Sequence, residues 1–288
     1  MPMHRITEIL AARAGTGITF ENMRPGTREY EQFFVDDLNK KVGNENETDG
    51  YNCNICKNKA WVVKLVEYPN GTFGQEYGDC KCAETRRSIM RMKRSGLKDV
   101  IKDYTFDKFE DTETWQKALK SAAVAYSKAP EGWFFIGGQS GAGKTHLCTA
   151  ICREFLLGGK RVIYMLWRDD IAKLKGVAND PEQREPMINR FKQADVLYID
   201  DLFKTGKEMN SQTQRPSSAD ISTAFEILNY RYCNPDLLTI ISTELSGDEL
   251  LDIDEATGGR ILEKAGANGF SMDKDRSRNY RLRQAVTI

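Results

Sequence analysis

Short apolar runs alternate with amphipathic segments through the second half of the chain. Runs with the length and composition of buried strands lie at residues 133–136, 161–166, 195–201 and 238–242. Between them, apolar residues recur at helical spacing, as in 146–157 and 221–232. Continuous apolar strands that alternate with helices are typical of a parallel sheet covered on both faces. The pattern therefore predicts an α/β domain with a doubly wound parallel sheet flanked by helices.

A glycine-rich sequence joins the first of these strands to the first of these helices. Residues 138–145 read Gly-Gln-Ser-Gly-Ala-Gly-Lys-Thr. Glycines let backbone N–H groups approach phosphate oxygens, and the N-terminal end of a helix dipole favours the same anions. Lys144 is expected to reach the β- and γ-phosphates, and Thr145 is expected to bind Mg²⁺. A chance glycine-rich turn would not have this strand and this helix as flanks. The expected ATP-binding residues are Gly138, Gln139, Ser140, Gly141, Ala142, Gly143, Lys144, Thr145 and His146.

The strand at 195–201 ends in two acidic residues, Asp200 and Asp201. A buried parallel strand carries such side chains to the carboxyl edge of the sheet, where ligands bind in open α/β folds. We expect Asp200 to bind Mg²⁺ and Asp201 to orient or deprotonate the attacking water. The next strand is followed by Thr243 and Glu244, so a polar group is expected near the γ-phosphate.

Nearer the N-terminus, an Asn-Gly turn separates two strand-like runs at 61–68 and 73–77, which predicts a β-hairpin. A hairpin returns the chain to its starting point and would bring together the cysteine pairs that flank it. Four thiolates suit a closed, structural Zn²⁺ site, whereas disulfides and a redox pair are the alternatives. The expected zinc ligands are Cys53, Cys56, Cys80 and Cys82. The other three cysteines, Cys148, Cys152 and Cys233, are expected to be small buried side chains.

These features predict a division into three parts. The first is an N-terminal helix and flexible segment at 1–50, with the helix at 6–13 and a polar linker at 43–50. A zinc-binding domain and a basic helix follow at 51–98, and the ATPase domain occupies 99–288.

Charge and hydropathy exclude fewer classes of function than the motifs do. The 42 basic residues balance the 42 acidic ones, so net charge favours no particular partner. A local basic cluster could contact nucleic acid or form a solvated helix face, and it contains Arg86, Arg87, Arg91, Lys93, Arg94 and Lys98. No apolar run approaches the roughly 18–20 residues that a membrane helix needs, and we expect no secretory signal, because residues 1–5 offer no apolar h-region and no small-residue cleavage site. We expect a cytoplasmic protein with no membrane partner.

Several further segments coincide with one family. Residues 105–109 read Thr-Phe-Asp-Lys-Phe, 225–232 read Phe-Glu-Ile-Leu-Asn-Tyr-Arg-Tyr, 259–263 read Gly-Arg-Ile-Leu-Glu, and 278–283 read Arg-Asn-Tyr-Arg-Leu-Arg. With the phosphate loop and the acidic strand, they resemble the bacterial and phage replicative helicase loaders of the DnaC/DnaI type, a branch of the AAA+ ATPases. The resemblance extends over residues 97–284. The cysteine segment resembles the zinc domain that binds the helicase in part of this family.

The resemblance implies an ATP-dependent loader that uses ATP, Mg²⁺ and Zn²⁺ and cycles to ADP. It would bind the hexameric replicative helicase through the N-terminal zinc domain, self-associate through the AAA+ domain, and help place the helicase on single-stranded DNA. Arg260 would act as an arginine finger on a neighbour's nucleotide, since guanidinium binds phosphate oxygens in a planar fork. From the sequence alone, a surface salt bridge is an equally good interpretation of Arg260. A second sensor is expected among Arg276, Arg278 and Arg281. Arg278 and Arg281 thus join the ATP-binding residues, and the expected catalytic residues are Lys144, Asp200, Asp201, Glu244 and Arg260.

Two positions depart from the family pattern. Glu244 stands where the family usually has asparagine, and a carboxylate repels the γ-phosphate; hydrolysis is therefore expected to be slow unless Thr243 takes the role. Lys264 stands where some relatives have another arginine. The alternative functions are a transposition helper ATPase acting on duplex DNA with a transposase, and an adaptor that binds ATP but scarcely hydrolyses it. The zinc hairpin and the lack of an obvious duplex-reading motif favour the loader.

Overall fold

The computed structural model describes residues 24–94, 97, 99–205, 215–280 and 282. The predicted helix at 6–13 lies outside them. The helices are α1 (Arg28–Lys40), α2 (Glu45–Asp49), α3 (Cys82–Arg94), α4 (Val100–Asp103), α5 (Thr114–Lys128), α6 (Lys144–Leu157), α7 (Trp167–Gly176), α8 (Pro181–Lys192), α9 (Ser218–Tyr232), α10 (Gly247–Ile253) and α11 (Glu255–Ala265). The strands are β1 (Trp61–Glu67), β2 (Phe73–Asp79), β3 (Phe134–Gly138), β4 (Val162–Leu166), β5 (Val196–Asp200), β6 (Leu238–Ser242) and β7 (Gly269–Met272). No helix in these ranges is long and apolar enough to cross a bilayer.

The described residues form two compact units, one of residues 24–43 and 54–80 and the other of residues 44–53 and those from 81 onward. The domain boundaries expected from the sequence stay predictions.

The smaller unit is a β-hairpin with helix α1 packed against it. Strands β1 and β2 pair antiparallel, with Trp61 opposite Asp79 at one end and Glu67 opposite Phe73 at the other. The ammonium group of Lys59 caps the C-terminal end of α1, where backbone carbonyls have no partner within the helix. It donates to the carbonyls of Leu38 (2.9 Å), Asn39 (3.2 Å) and Lys41 (2.8 Å). The predicted hairpin is present, and its helix is tied to the turn that precedes β1.

In the larger unit, the polar segment expected to be a linker contains helix α2. Its last residue, Asp49, is buried and accepts two hydrogen bonds from Arg86 of α3, at 2.7 and 2.6 Å. Arg91, on the same helix, pairs with Asp170 of α7. Two members of the basic cluster therefore neutralise acids of their own chain, and a third, Lys98, lies outside the described residues.

The larger unit is built on a five-stranded sheet in the order β4-β5-β6-β3-β7, and every neighbouring pair is parallel. Alternate residues of strands β3 to β6 enter two separate cores: along β3 and the residue before it, Phe134 and Ile136 belong to one core, and Trp133 and Phe135 to the other. A sheet with helices on both faces requires this arrangement, because successive side chains point to opposite sides. The predicted doubly wound parallel sheet is confirmed.

The three cysteines outside residues 53–82 differ in burial. Cys148 and Cys152 are fully buried on α6, as predicted. Cys233 is exposed, so that prediction was wrong; it follows the last turn of α9, beyond the residues that this helix packs into the core.

Arg231, on α9, is a fully buried arginine bound to backbone carbonyls. Its guanidinium donates to the hydroxyl of Thr239 at 2.9 Å and to a group of carbonyls, those of Phe191 (3.1 Å), Lys192 (2.9 Å), Ala194 (2.8 Å) and Leu238 (2.5 Å). Burial lowers its pKa to about 9. This side chain joins α9 to the end of α8 and to the starts of β5 and β6.

Candidate nucleotide site

The phosphate loop, residues 138–145, runs from β3 into α6 and takes left-handed backbone angles at Gly138, Gly141 and Gly143, with φ of 98°, 75° and 88°. A Cβ on Gly141 would lie 2.0 Å from Asn279 Oδ1, and one on Gly143 would lie 2.6 Å from the Phe109 ring. Any larger side chain would therefore displace neighbours as well as strain the backbone. The conformation of the loop therefore requires glycine at these positions.

Lys144 begins α6 with its side chain folded over the loop. Its Nζ donates to the carbonyls of Gly138 at 2.8 Å and Gln139 at 2.7 Å. Burial lowers the pKa of Lys144, while the charges of Glu244 and Asp201 act in the opposite direction. The ammonium group is thus held at the loop, facing carboxylates that follow β5 and β6.

Asp200 ends β5 and is 5% exposed. Its carboxylate accepts hydrogen bonds from four hydroxyl groups, those of Tyr164 (2.9 Å, on Oδ2) and of Tyr198 (2.7 Å), Ser242 (2.6 Å) and Thr145 (3.2 Å, all three on Oδ1). Asp200 and Thr145 were predicted from the sequence, whereas Tyr164, Tyr198 and Ser242 were not. The available signal was a hydroxyl-bearing residue in each of β4, β5 and β6, and parallel register sets Tyr164 beside Tyr198.

Asp201 has a left-handed backbone (φ 58°), and its backbone N–H donates to the Ser242 hydroxyl at 3.2 Å. Lys204 binds its carboxylate at 2.8 Å and that of Glu244 at 3.1 Å. Burial raises the pKa of Asp201, and the charge of Asp200 raises it further. Burial opposes ionisation of Glu244 too, but the hydrogen bond and charge of Lys204 outweigh it, and the pKa of Glu244 is lowered. No sequence pattern pointed to Lys204.

Thr243, considered as a substitute for Glu244, is fully buried. Its hydroxyl donates to the carbonyl of Leu202 at 2.8 Å and accepts from the N–H of Leu245 at 3.2 Å. Both hydrogen bonds hold the backbone after β6 in place, so the Thr243 hydroxyl stabilises the loop that contains Glu244.

Residues 104–109 lie against the start of α6. The ring of His146 packs on Tyr104 (5.3 Å between centroids) and on Phe109 (5.6 Å). Its Nε2 lies 2.9 Å from the carbonyl of Thr105 and must carry the proton, because a carbonyl only accepts. Burial lowers the pKa of His146. The Thr-Phe-Asp-Lys-Phe segment therefore forms the wall of the site beside the phosphate loop.

These groups surround one cavity of about 660 Å³. Most of the predicted site residues line it: Ser140, Gly141, Ala142, Gly143, Lys144, Thr145, His146, Asp200, Asp201, Glu244 and Arg278. Further lining residues were not predicted, among them Lys204, Tyr104 and Tyr164. The guanidinium of Arg278 lies 5.8 Å from the centroid of the Trp115 ring.

Arg260 stands apart from this cavity, on α11. It lies over the rings of Phe225 (4.9 Å) and Tyr232 (5.4 Å) and donates to Asn229 at 3.1 Å and to the carbonyl of Ala256 at 2.7 Å. Arg281 lies outside the described residues.

The four cysteines of the front segment are buried and meet in one cluster. The sulfurs of Cys53, Cys56, Cys80 and Cys82 all lie within 4.8 Å of one another. A tetrahedral zinc site with Zn–S bonds of about 2.3 Å has sulfurs about 3.8 Å apart, so this spacing fits such an ion.

Comparison with known proteins agrees with this geometry. The family model for the bacterial DnaA ATPase domain matches residues 100–216. The Phage-like element PBSX protein XkdC of Bacillus subtilis (strain 168) is 31% identical over 231 residues, which is 76% of this chain and 81% of that protein.

The Replicative helicase loader DnaC of Escherichia coli (strain K12) is 29% identical over 138 residues, 44% of this chain and 56% of the loader, so the match spans little more than half of that protein. Among solved structures, a crystal structure of the DnaC helicase loader has a TM-score of 0.49 at 20% identity and covers 61% of this chain and 98% of that one. Given the match with XkdC over most of both sequences, this chain belongs to the family of AAA+ ATPases that includes XkdC and, more distantly, the DnaC/DnaI helicase loaders.

Proposed function

We propose that this protein is an ATP-dependent loader that binds a hexameric replicative helicase and helps place it on single-stranded DNA when replication starts. The observation that carries the proposal is the convergence of the phosphate loop and the two acidic residues on one cavity, in a chain of the loader family.

In this proposal the triphosphate lies along the phosphate loop. The backbone N–H groups of residues 138–145 and the ammonium of Lys144 bind its oxygens, which replace the carbonyls of Gly138 and Gln139 as acceptors for Lys144. Thr145 and Asp200 would hold Mg²⁺: their oxygens are 3.2 Å apart, and adjacent ligands of an octahedral Mg²⁺ are about 2.9 Å apart. The ion would neutralise the phosphate oxygens.

Hydrolysis would use the acids on the opposite wall of the cavity. Asp201 orients the attacking water, and Arg278 contributes positive charge to the phosphates from its position in the lining. Arg260 would serve a neighbouring subunit's nucleotide, with Arg281 as a further sensor candidate. Glu244 places a carboxylate, which Lys204 pairs with, where the family usually has a neutral asparagine, and this supports slow turnover.

The cysteine cluster would hold a structural Zn²⁺ with all four positions filled by protein, since its sulfurs have the spacing of a closed site. The N–H at Nε of Arg86 donates to Cys82 at 3.4 Å, which favours a thiolate at that position. We propose that the zinc-stabilised segment contacts the helicase.

The test is co-elution of the purified protein with its host's replicative helicase, with and without ATP, with masses read by light scattering. We expect a defined complex that Cys80→Ser abolishes. The matched control is Cys233→Ser, because Cys233 is exposed and lies outside the cluster. Absence of a complex under every nucleotide condition would reject the loader proposal, and ATP-dependent assembly on duplex DNA would then favour a transposition helper.

A further inference from the structure

Three carboxylates line the cavity together with Lys144: those of Asp200, Asp201 and Glu244. Glu244 is the one least expected beside a triphosphate. It lines the cavity together with Ser140 of the phosphate loop, and its charge acts on Lys144. Because the lysine of such a loop reaches the β- and γ-phosphates, Glu244 lies where the γ-phosphate would add negative charge. Without a neighbouring positive charge, the carboxylate of Glu244 would weaken binding of a triphosphate.

Lys204 lies directly between two of these acids. Its ammonium is 2.8 Å from Asp201 and 3.1 Å from Glu244, and both partners raise its pKa against the effect of burial. Its side chain keeps 41% exposure and lines the cavity, so the ammonium also faces the space that a ligand would fill.

The loop that carries Lys204 is held in place by its neighbours. The N–H of Leu202 donates to the carbonyl of Ser242 at 2.9 Å, and the N–H of Lys204 donates to that of Asp201 at 2.9 Å. Phe203, which is buried, packs edge-on against Trp167 with ring centroids 5.4 Å apart. The position of Lys204 is therefore set by buried contacts on either side of it in the chain.

We propose that Lys204 is a specificity-determining residue of the nucleotide site: it neutralises Glu244 and thereby lets the cavity accept the γ-phosphate of ATP. This inference rests on the proposed function only in that the cavity binds ATP. An uncompensated Glu244 repels the extra charge of ATP, whereas ADP has no phosphate at that end. Loss of the lysine charge therefore weakens ATP more than ADP. A lysine that only braced the loop would affect both nucleotides equally.

The experiment is calorimetric titration of ATP and of ADP, each with Mg²⁺, into the full-length protein and its variants. For Lys204→Met we expect the Kd for ATP to rise about tenfold, the effect of one screened charge in a partly buried site. The Kd for ADP should change by less than about twofold on the same argument. Lys204→Arg keeps the charge and should retain the wild-type preference for ATP.

The double variant Lys204→Met/Glu244→Gln removes both charges and should restore ATP affinity to near the wild-type value. The matched control is Lys120→Met, which breaks a pair of similar length with Asp111 (3.0 Å) and should alter neither nucleotide. An equal loss of ATP and ADP, no loss of either, or no restoration in the double variant would each overturn the inference. A wild-type protein that binds ATP but no helicase would refute the loader function alone.

Discussion

At the scale of single residues, the most constrained group is the carboxylate of Asp200. Four hydroxyl groups from the phosphate loop and three strands donate to it, and it is almost fully buried. Hydrogen bonds to a charged acceptor are stronger than neutral ones, and burial strengthens them further. The carboxylate is therefore held in one orientation before any metal ion binds. Tyr164 donates to Oδ2, whereas Thr145 donates to Oδ1.

Tyr164→Phe tests this orientation, since it removes one hydroxyl and little volume. We expect a loss of about 1–2 kcal/mol of unfolding free energy, because the donor to a buried charged acceptor disappears. The Mg²⁺ concentration for half-maximal ATP turnover should rise about tenfold, as for other residues that orient a metal ligand. Urea denaturation and turnover at graded Mg²⁺ measure the two effects.

Tyr126→Phe is the control, because its hydroxyl donates to the carbonyl of Gly132 at 3.0 Å and lies outside the nucleotide cavity. It should lose stability while keeping the wild-type dependence on Mg²⁺. Identical Mg²⁺ curves for the two variants would show that Tyr164 has only a packing role.

At the scale of helices and strands, the contacts of Arg231 give a structural role to one residue of the Asn-Tyr-Arg-Tyr segment, residues 229–232, on which the family resemblance partly depends. Its guanidinium satisfies carbonyls where α8 ends and where β5 and β6 begin. These are places where helix and strand geometry leaves acceptors without partners. The segment therefore contains a residue whose role is to join three elements, in addition to any role in the family's function.

Replacing this residue should affect folding far more than nucleotide chemistry. Arg231→Met leaves several buried carbonyls without donors, so we expect a loss of at least about 3 kcal/mol of unfolding free energy in urea. The control is Arg184→Met, which breaks a partly exposed pair between α8 and α9, with Glu226, and should cost about 1 kcal/mol or less. Equal losses in the two variants would contradict this account of Arg231.

At the scale of the whole molecule, the two units contain very different amounts of core. The larger one has an extensive apolar core on each face of its sheet. In the described part of the smaller one, the buried apolar side chains other than cysteines are Val35 and Val63. So small a core rarely stabilises a fold, and such units usually depend on a metal or on disulfides. This contrast favours a metal ion at the cysteine cluster.

We therefore expect about one Zn²⁺ per chain in the purified protein, measured by elemental mass spectrometry. Cys56→Ser should lose the ion and expose the smaller unit to limited proteolysis, because zinc binding contributes on the order of 10 kcal/mol to folding such units. Cys233→Ser should retain both the ion and the proteolytic resistance of the wild type. A metal-free wild-type protein with an intact smaller unit would refute the zinc prediction.

The sequence alone was enough to predict the parallel sheet, the hairpin, the meeting of the four cysteines and the loop glycines. Each depends on backbone geometry or periodicity within a short segment, where residue type and spacing carry the information. The exposed position of Cys233 was missed, because burial at a helix end depends on what packs against it. The division at residues 50 and 98, the helicase contact, and the roles of Arg260 and Arg281 remain predictions.

Only the tertiary structure revealed the network on Asp200, the bridge made by Lys204 and the position of Arg231. Tyr164 is 36 residues from Asp200 in the chain, Ser242 is 42 residues from it, and Lys204 is 40 residues from Glu244. No local periodicity encodes which hydroxyl or ammonium group will reach a given carboxylate across that separation. The order and register of the strands decide it, because they set which strand ends are neighbours at the carboxyl edge of the sheet.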